Sequence, residues 1–133
     1  MSKLTNTDVR RYEQRLRARH VALRGHIQKV LLESKHDEFT QLAGRVHDRG
    51  EESVADLLAS TSLALIDREV SELREVEEAL RRIRVGTYGE CETCGDAIGR
   101  DRLDANPNAK RCVDCEREHE TRGAGGRDQT PSL

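Results

Sequence analysis

Four cysteines and their spacing restrict this 133-residue chain more than any other feature. Cys91-Glu92-Thr93-Cys94 and Cys112-Val113-Asp114-Cys115 are two Cys-x2-Cys knuckles with 17 residues between them. That spacing falls in the window of a four-cysteine zinc site. Zn2+ takes four thiolates tetrahedrally at about 2.3 Å, and two intervening residues let one turn present both sulfurs to the same ion. Gly95, directly after the first knuckle, supplies backbone freedom there. Two disulfides are the competing reading, but nothing signals secretion, and cytosolic thiols stay reduced. A redox-active pair of thioredoxin type needs a βαβ context that is missing here. The expectation is one structural Zn2+ held by Cys91, Cys94, Cys112 and Cys115, with no open coordination position for a catalytic water. His119, four residues past Cys115, is expected on the exposed face of a final helix and not as a ligand.

The rest of the chain must fold with little apolar material. Its aromatic residues are Tyr12, Phe39 and Tyr88, and 35% of the chain is hydrophobic against about 45–50% in ordinary domains. Three aromatics cannot line a large apolar pocket, and no nucleophile–base constellation is visible, so no enzyme is expected. No apolar run approaches the roughly 20 residues that span a bilayer, and no signal peptide opens the sequence, which points to a cytoplasmic protein. The stretch around the cysteines would bury Tyr88, Ile98, Leu103 and little else, so metal binding would supply its folding energy.

Helical periodicity accounts for most of the remainder. From Thr5 to about Glu33, Val9, Leu16, Leu23 and Val30 recur every seven residues, with Tyr12, Ile27 and Leu31 widening the stripe and Asn6 or Thr7 as the cap. Arg19, His26 and Glu33 occupy positions that a tight zipper would keep apolar. Residues 34–52 contain breakers around a short helical turn at Phe39, Leu42 and Val46, and Asp48-x-x-Glu51 resembles a capping box. From Ser53 to Val85 there is no Gly or Pro, and Leu63, Ile66, Val70, Leu73, Leu80 and Ile83 mark one face. A continuous helix of that length would be a rod of about 50 Å. Glu77–Arg81 and Glu78–Arg82 lie at i,i+4 spacing on the other face.

The fold expected is therefore mainly α. A long antiparallel two-helix coiled-coil hairpin occupies residues 1–85, with its tip near 36–52. A four-cysteine zinc finger with a short C-terminal helix occupies 86–121, and 122–133 form a disordered tail. Pairing of the second helix with another chain competes with the intramolecular hairpin, which favours a monomer.

Charge supports the hairpin. Residues 1–47 carry a net charge of +5 and residues 48–85 one of −4, which suits a basic helix lying beside an acidic one. Residues 86–120 carry −4, and four thiolates on one Zn2+ add two further negative charges, so specific DNA binding is not expected. Arg100, Arg102, Lys110 and Arg111 form a basic patch within this acidic unit, suited to a protein partner or to the hairpin itself.

Gly86-Thr87-Tyr88-Gly89-x-Cys91-x-x-Cys94-Gly95-x-x-Ile98, then Arg102-Leu103-x-Ala105-x-Pro107-x-Ala109, then Cys112-x-x-Cys115, resembles the DksA/TraR zinc-finger family. The resemblance implies a bacterial, cytoplasmic regulator that binds RNA polymerase directly, inserts its hairpin tip into the secondary channel and modulates initiation. The family's tip motif, Asp-x-x-Asp-x-Ala, corresponds here to Asp48-x-x-Glu51-x-Ser53, which makes Asp48, Glu51 and Ser53 the polymerase-contacting candidates. The alternative is a zinc-dependent interaction or stress adaptor with a different partner. Members that cooperate with guanosine tetraphosphate carry basic side chains where this chain has Glu75, Glu78 and Glu116. Weak or absent dependence is the expectation, with Arg68 and Arg74 as possible exceptions.

Overall fold

A computed structural model describes residues 4–49, 53–61 and 63–129. It is helical throughout, with α1 Asn6–Glu33, α2 Asp37–Arg49, α3 Ala55–Leu58, a 3-10 turn at Ala64–Ile66, α4 Asp67–Val85, α5 Arg100–Ala105 and α6 Val113–Gln129. Among the described residues no helix is long and apolar enough to cross a membrane.

α1 starts one residue before the caps expected. The Thr5 hydroxyl accepts from the Asp8 amide, and the Asp8 carboxylate accepts from the Thr5 amide, a reciprocal capping box. Of the stripe read from the sequence, Tyr12, Leu16, Leu23, Ile27 and Leu31 are buried, while Val9 and Val30 are half-buried. α1 and α4 pack antiparallel, basic helix against acidic. Arg19 grips Glu72 through two hydrogen bonds, one of 2.6 Å, and His20 Nε2 lies 2.9 Å from Glu77.

The hairpin is nevertheless shorter than expected, because the second helix does not run from Ser53. α4 has 19 residues, about 28 Å. Residues 37–49, expected as a turn-rich tip, form α2, whose acidic first turn (Asp37, Glu38) suits a helix N-terminus. α2 runs back along α1 and buries Leu42, Ala43 and Val46. The chain then runs out again through α3 and returns along α4, four passes in all. Ser60, Thr61 and Ser62 are poor helix formers. Folding back instead buries Val54, Ala55 and Leu58 in the same core as Leu73 and Val76. The far end of this bundle is thus Leu32–His36 and Leu63–Asp67, where Leu65 is 72% exposed.

Glu77 fastens the folded-back segment. Its carboxylate accepts from the Val54 amide at 2.8 Å, the Ser53 hydroxyl at 3.0 Å and the Ala55 amide at 3.4 Å, while facing His20. The expected surface pair Glu77–Arg81 is absent from this arrangement, and Arg81 bonds Glu78 instead. Burial pushes the Glu77 carboxyl up, but His20, the Val54 and Ala55 amides and Ser53 outweigh it and hold it below the ordinary Glu value. A depressed carboxylate contributes stability that is complete above its unfolded value of about 4.5 and is lost as pH falls through the folded one. Glu77→Ala should cost about 2–4 kcal/mol in urea unfolding at neutral pH. That deficit should shrink toward wild type in acid. A cost below about 0.5 kcal/mol would show that the carboxylate holds nothing.

The tail differs from expectation as well. α6 extends to Gln129, whereas residues 122–133 were expected to be disordered. Gly123, Gly125 and Gly126 weaken this helix, but the first residue that cannot continue it is Pro131. Residues 130–133 lie outside the described residues.

Candidate metal centre

Gly86 ends α4 in the left-handed conformation, φ 86°, with its amide and that of Thr87 donating to the Arg82 carbonyl. The chain then turns into a compact unit with one antiparallel bridge, between Glu90 and Ala97. The Cys91 amide donates to Asp96 O at 2.7 Å, and the Gly95 amide closes the loop on Cys91 O at 2.9 Å. Gly95 sits at φ 81°, the freedom the knuckle was expected to need. Glu92 N donates to Lys110 O at 2.9 Å, which brings the second knuckle alongside the first. Cys112 O accepts from Glu116 N, so Cys115 rides on the first turn of α6.

The four thiol sulfurs all lie within 4.8 Å of one another, and Cys94 Sγ is 3.9 Å from Cys112 Sγ. Tetrahedral Zn2+ with 2.3 Å bonds requires sulfur separations of about 3.8 Å, so the cluster fits one ion. No pair is oxidised. Burial raises the Cys91 thiol, but the amides of Cys94, Cys112 and Thr93 more than compensate and hold it at about 6. Cys115 is pushed up, chiefly by the Cys112 thiol beside it. Four such thiols cannot all ionise without a cation, so zinc binding displaces protons and weakens in acid. The four cysteines make a site for one zinc ion. His119 is exposed on α6, outside this cluster.

What the sequence did not disclose is how the finger is fixed to the hairpin. Arg82, 7% exposed, donates to Glu92 at 2.7 Å, and Arg111 bridges Glu92 and Glu116 at 2.9 and 3.1 Å. The i,i+4 pair Glu78–Arg82 is the looser contact, at 3.5 Å. The other junction is aromatic. Tyr12 and Tyr88 have ring centroids 6.0 Å apart, and Tyr12 donates to Asp104 at 2.6 Å. Asp8, the α1 cap, also takes Arg100 at 2.8 Å; the Thr5 amide and then Arg100 hold its carboxyl down to about 2. Three cations of the expected basic patch are therefore committed internally: Arg100 to α1, Arg111 to acids, and Arg102 to the Arg111 carbonyl. A cleft of about 570 Å3 between α4, the finger and α6 mixes Glu75 and Glu116 with Lys110 and Arg117.

Asp48 and Ser53, two of the three residues expected at the hairpin tip, do not sit at the far end of the bundle. Asp48 is exposed near the end of α2, and Ser53 is bonded to Glu77 midway along the bundle. Glu51 lies outside the described residues. The midpoint of α4 holds Ser53 because the segment is folded back, which a helical pattern does not reveal.

Residues 86–120 match the family described as prokaryotic dksA/traR C4-type zinc finger. The chain is 40% identical over 62 residues to an "RNA polymerase-binding transcription factor DksA" of Caulobacter vibrioides, a match covering 47% of this chain and 44% of that protein. A protein of the same name from Haemophilus influenzae is 28% identical over 101 residues, covering 68% of this chain and 69% of its own length. The chain thus spans less than half the length of the Caulobacter relative. The solved structure of transcription factor DksA2 from Pseudomonas aeruginosa aligns with a TM-score of 0.60 at 25% identity, over 91% of this chain and 89% of that one.

Proposed function

Because the chain belongs to the DksA/TraR family of C4-type zinc-finger proteins, we propose that it is a DksA-like transcriptional regulator. On this reading it binds RNA polymerase directly as a monomer, directs its helical bundle into the secondary channel and modulates initiation without reading DNA sequence. The observation that carries the proposal is a closed four-thiol finger clamped to the base of a helical hairpin, in a chain that aligns with DksA2 over nearly its whole length. The finger's arginines are largely spent on internal pairs, which leaves an acidic surface unsuited to phosphate and suited to a protein. It is a binding role, with the metal structural.

Association with core RNA polymerase at moderate salt, together with a change in initiation in vitro, is the expected result. Asp48→Lys should cut the transcriptional effect about tenfold, a loss of about 1.4 kcal/mol, with zinc content and melting unchanged. No association and unaltered initiation would sink the proposal. A second reading, an adaptor for a different partner, draws on the position of Asp48 on a folded-back helix and not at a tip. It gains if polymerase fails to bind. Glu75 and Glu116 line the cleft beside Lys110 and Arg117, so added guanosine tetraphosphate should alter the effect less than about twofold in the same assay.

A further inference from the structure

We propose that the trough between α1 and α4, on the finger side of Glu77, is a docking groove for an acidic amphipathic helix of a partner protein. It is separate from the metal centre and from the cleft beside α6, with which it shares no lining residue.

The trough exists because the second layer is short. Arg49, the last residue of α2, donates to the Ser53 carbonyl at 2.9 Å, and the Ser53 hydroxyl is bonded to Glu77. The folded-back segment thus meets the hairpin at Glu77. Toward the finger, two adjoining cavities of about 460 and 340 Å3 open over the α1/α4 seam. They share His20, Leu80 and Arg84, and the smaller is lined by α1 and α4 alone.

The floor is apolar. Val21 is 60% exposed and Leu80 is half-buried, and both line the smaller cavity. The outer part of the hairpin already carries a helix of its own: α2 lays Leu42, Ala43 and Val46 on the core that holds Leu23, Ile27 and Leu31. A helix is therefore the shape that suits the inner part as well. From Arg24 back to Glu13 that part is about 16 Å long, or three helical turns.

The rim sets the sign of the occupant. Arg17, Arg24 and Arg84 line the smaller cavity against one acid, Glu13. Arg17 is paired with Glu13 at 3.0 Å, and Arg81, on the larger cavity, with Glu78 at 2.6 Å. Arg84 is exposed and makes no ion pair among the described residues. This is a local excess of guanidinium groups in a chain whose net charge is −2, and guanidinium suits carboxylates. A nucleic-acid strand suits the trough less, because its evenly spaced phosphates would also meet Glu13 and Glu78. A helix sets its acids along the edges, opposite the arginines, and a leucine over Val21 and Leu80.

The probe is a fluorescein-labelled, helix-stapled peptide of about 14 residues, with Leu along one face and Glu along its edges. Fluorescence anisotropy with the zinc-loaded full chain at low salt should give a Kd of about 100 μM or tighter. Arg84→Glu should weaken binding about tenfold or more, and Val21→Ser about threefold. Both positions are exposed, so the fold should survive. Arg45→Glu makes the same charge change on α2, away from the trough, and should stay within about twofold of wild type. The peptide should also shift the Val21 and Leu80 methyl resonances. Three results each overturn the proposal: no binding at millimolar peptide, equal loss in Arg45→Glu and Arg84→Glu, or tighter binding of a single-stranded oligonucleotide that Arg84→Glu abolishes.

Discussion

Replacing Cys112 with serine should strip zinc from the protein and unfold residues 86–120. Cys112 Sγ is 3.9 Å from Cys94 Sγ and belongs to the four-thiol cluster, so the change removes one of four ligands. A hydroxyl binds Zn2+ poorly, and structural zinc contributes an apparent 10–16 kcal/mol or so to small fingers. That exceeds what the unit has without metal. Its buried apolar side chains are Ile98, Leu103 and Ala109, with Tyr12 lent by α1. Zinc content should fall from one ion per chain to about a tenth or less by elemental analysis. Amide protection should be lost from 86–112 and kept in α1 and α4, whose core is separate. Stoichiometric zinc with unchanged protection would contradict a structural four-cysteine site.

Tyr12→Ala is the second large effect, and it acts from the hairpin side. Tyr12 is fully buried, against Leu103 and Tyr88. Truncating a buried aromatic ring costs about 3–5 kcal/mol, which in a chain of this size is a fall in Tm of roughly 10–20 °C. Tyr12→Phe keeps the ring and loses the 2.6 Å bond to Asp104, a half-exposed carboxylate that water can satisfy. It should cost about 1 kcal/mol. Zinc should remain bound in both variants, since Tyr12 packs in the same cluster as Cys91 but supplies none of the four ligands. A melting shift under about 2 °C for Tyr12→Ala would show that the finger and the hairpin are energetically independent.

The zinc site was fully legible in the sequence because its chemistry dictates its spacing: four sulfurs about one ion leave few alternatives. The α1 stripe was legible for a similar reason, since Tyr12, Leu16, Leu23, Ile27 and Leu31 repeat at the helical period and all are buried. Basic against acidic pairing also held, through Arg19–Glu72 and His20–Glu77. The break in the second helix was not legible. Locally, Ser60, Thr61 and Ser62 weaken a helix over Ser53–Val85 without forbidding it, and what decides the break is burial of Leu42, Val46, Val54 and Leu58 against α1 and α4, a tertiary decision. Glu77 and Arg82 were hidden for another reason. Each sits in a Glu/Arg pattern that looks like a solvated face, yet Glu77 reaches back to residues 53–55 and Arg82 forward to Glu92. Charge pattern gives spacing within one helix and says nothing of partners supplied by another.

The four-pass arrangement also sets an order of assembly. Asp8 and Tyr12 meet their finger partners, Arg100 and Asp104, across 92 positions of sequence. During synthesis the ribosome delivers those partners last, and the metal must then be captured. Contacts between distant segments are slow to form and leave apolar surface waiting. α2 follows α1 after three residues and covers Leu23, Ile27 and Leu31 with Leu42, Ala43 and Val46. The growing chain therefore carries its own first-arriving shield for the α1 stripe, in place while α4 is still being made.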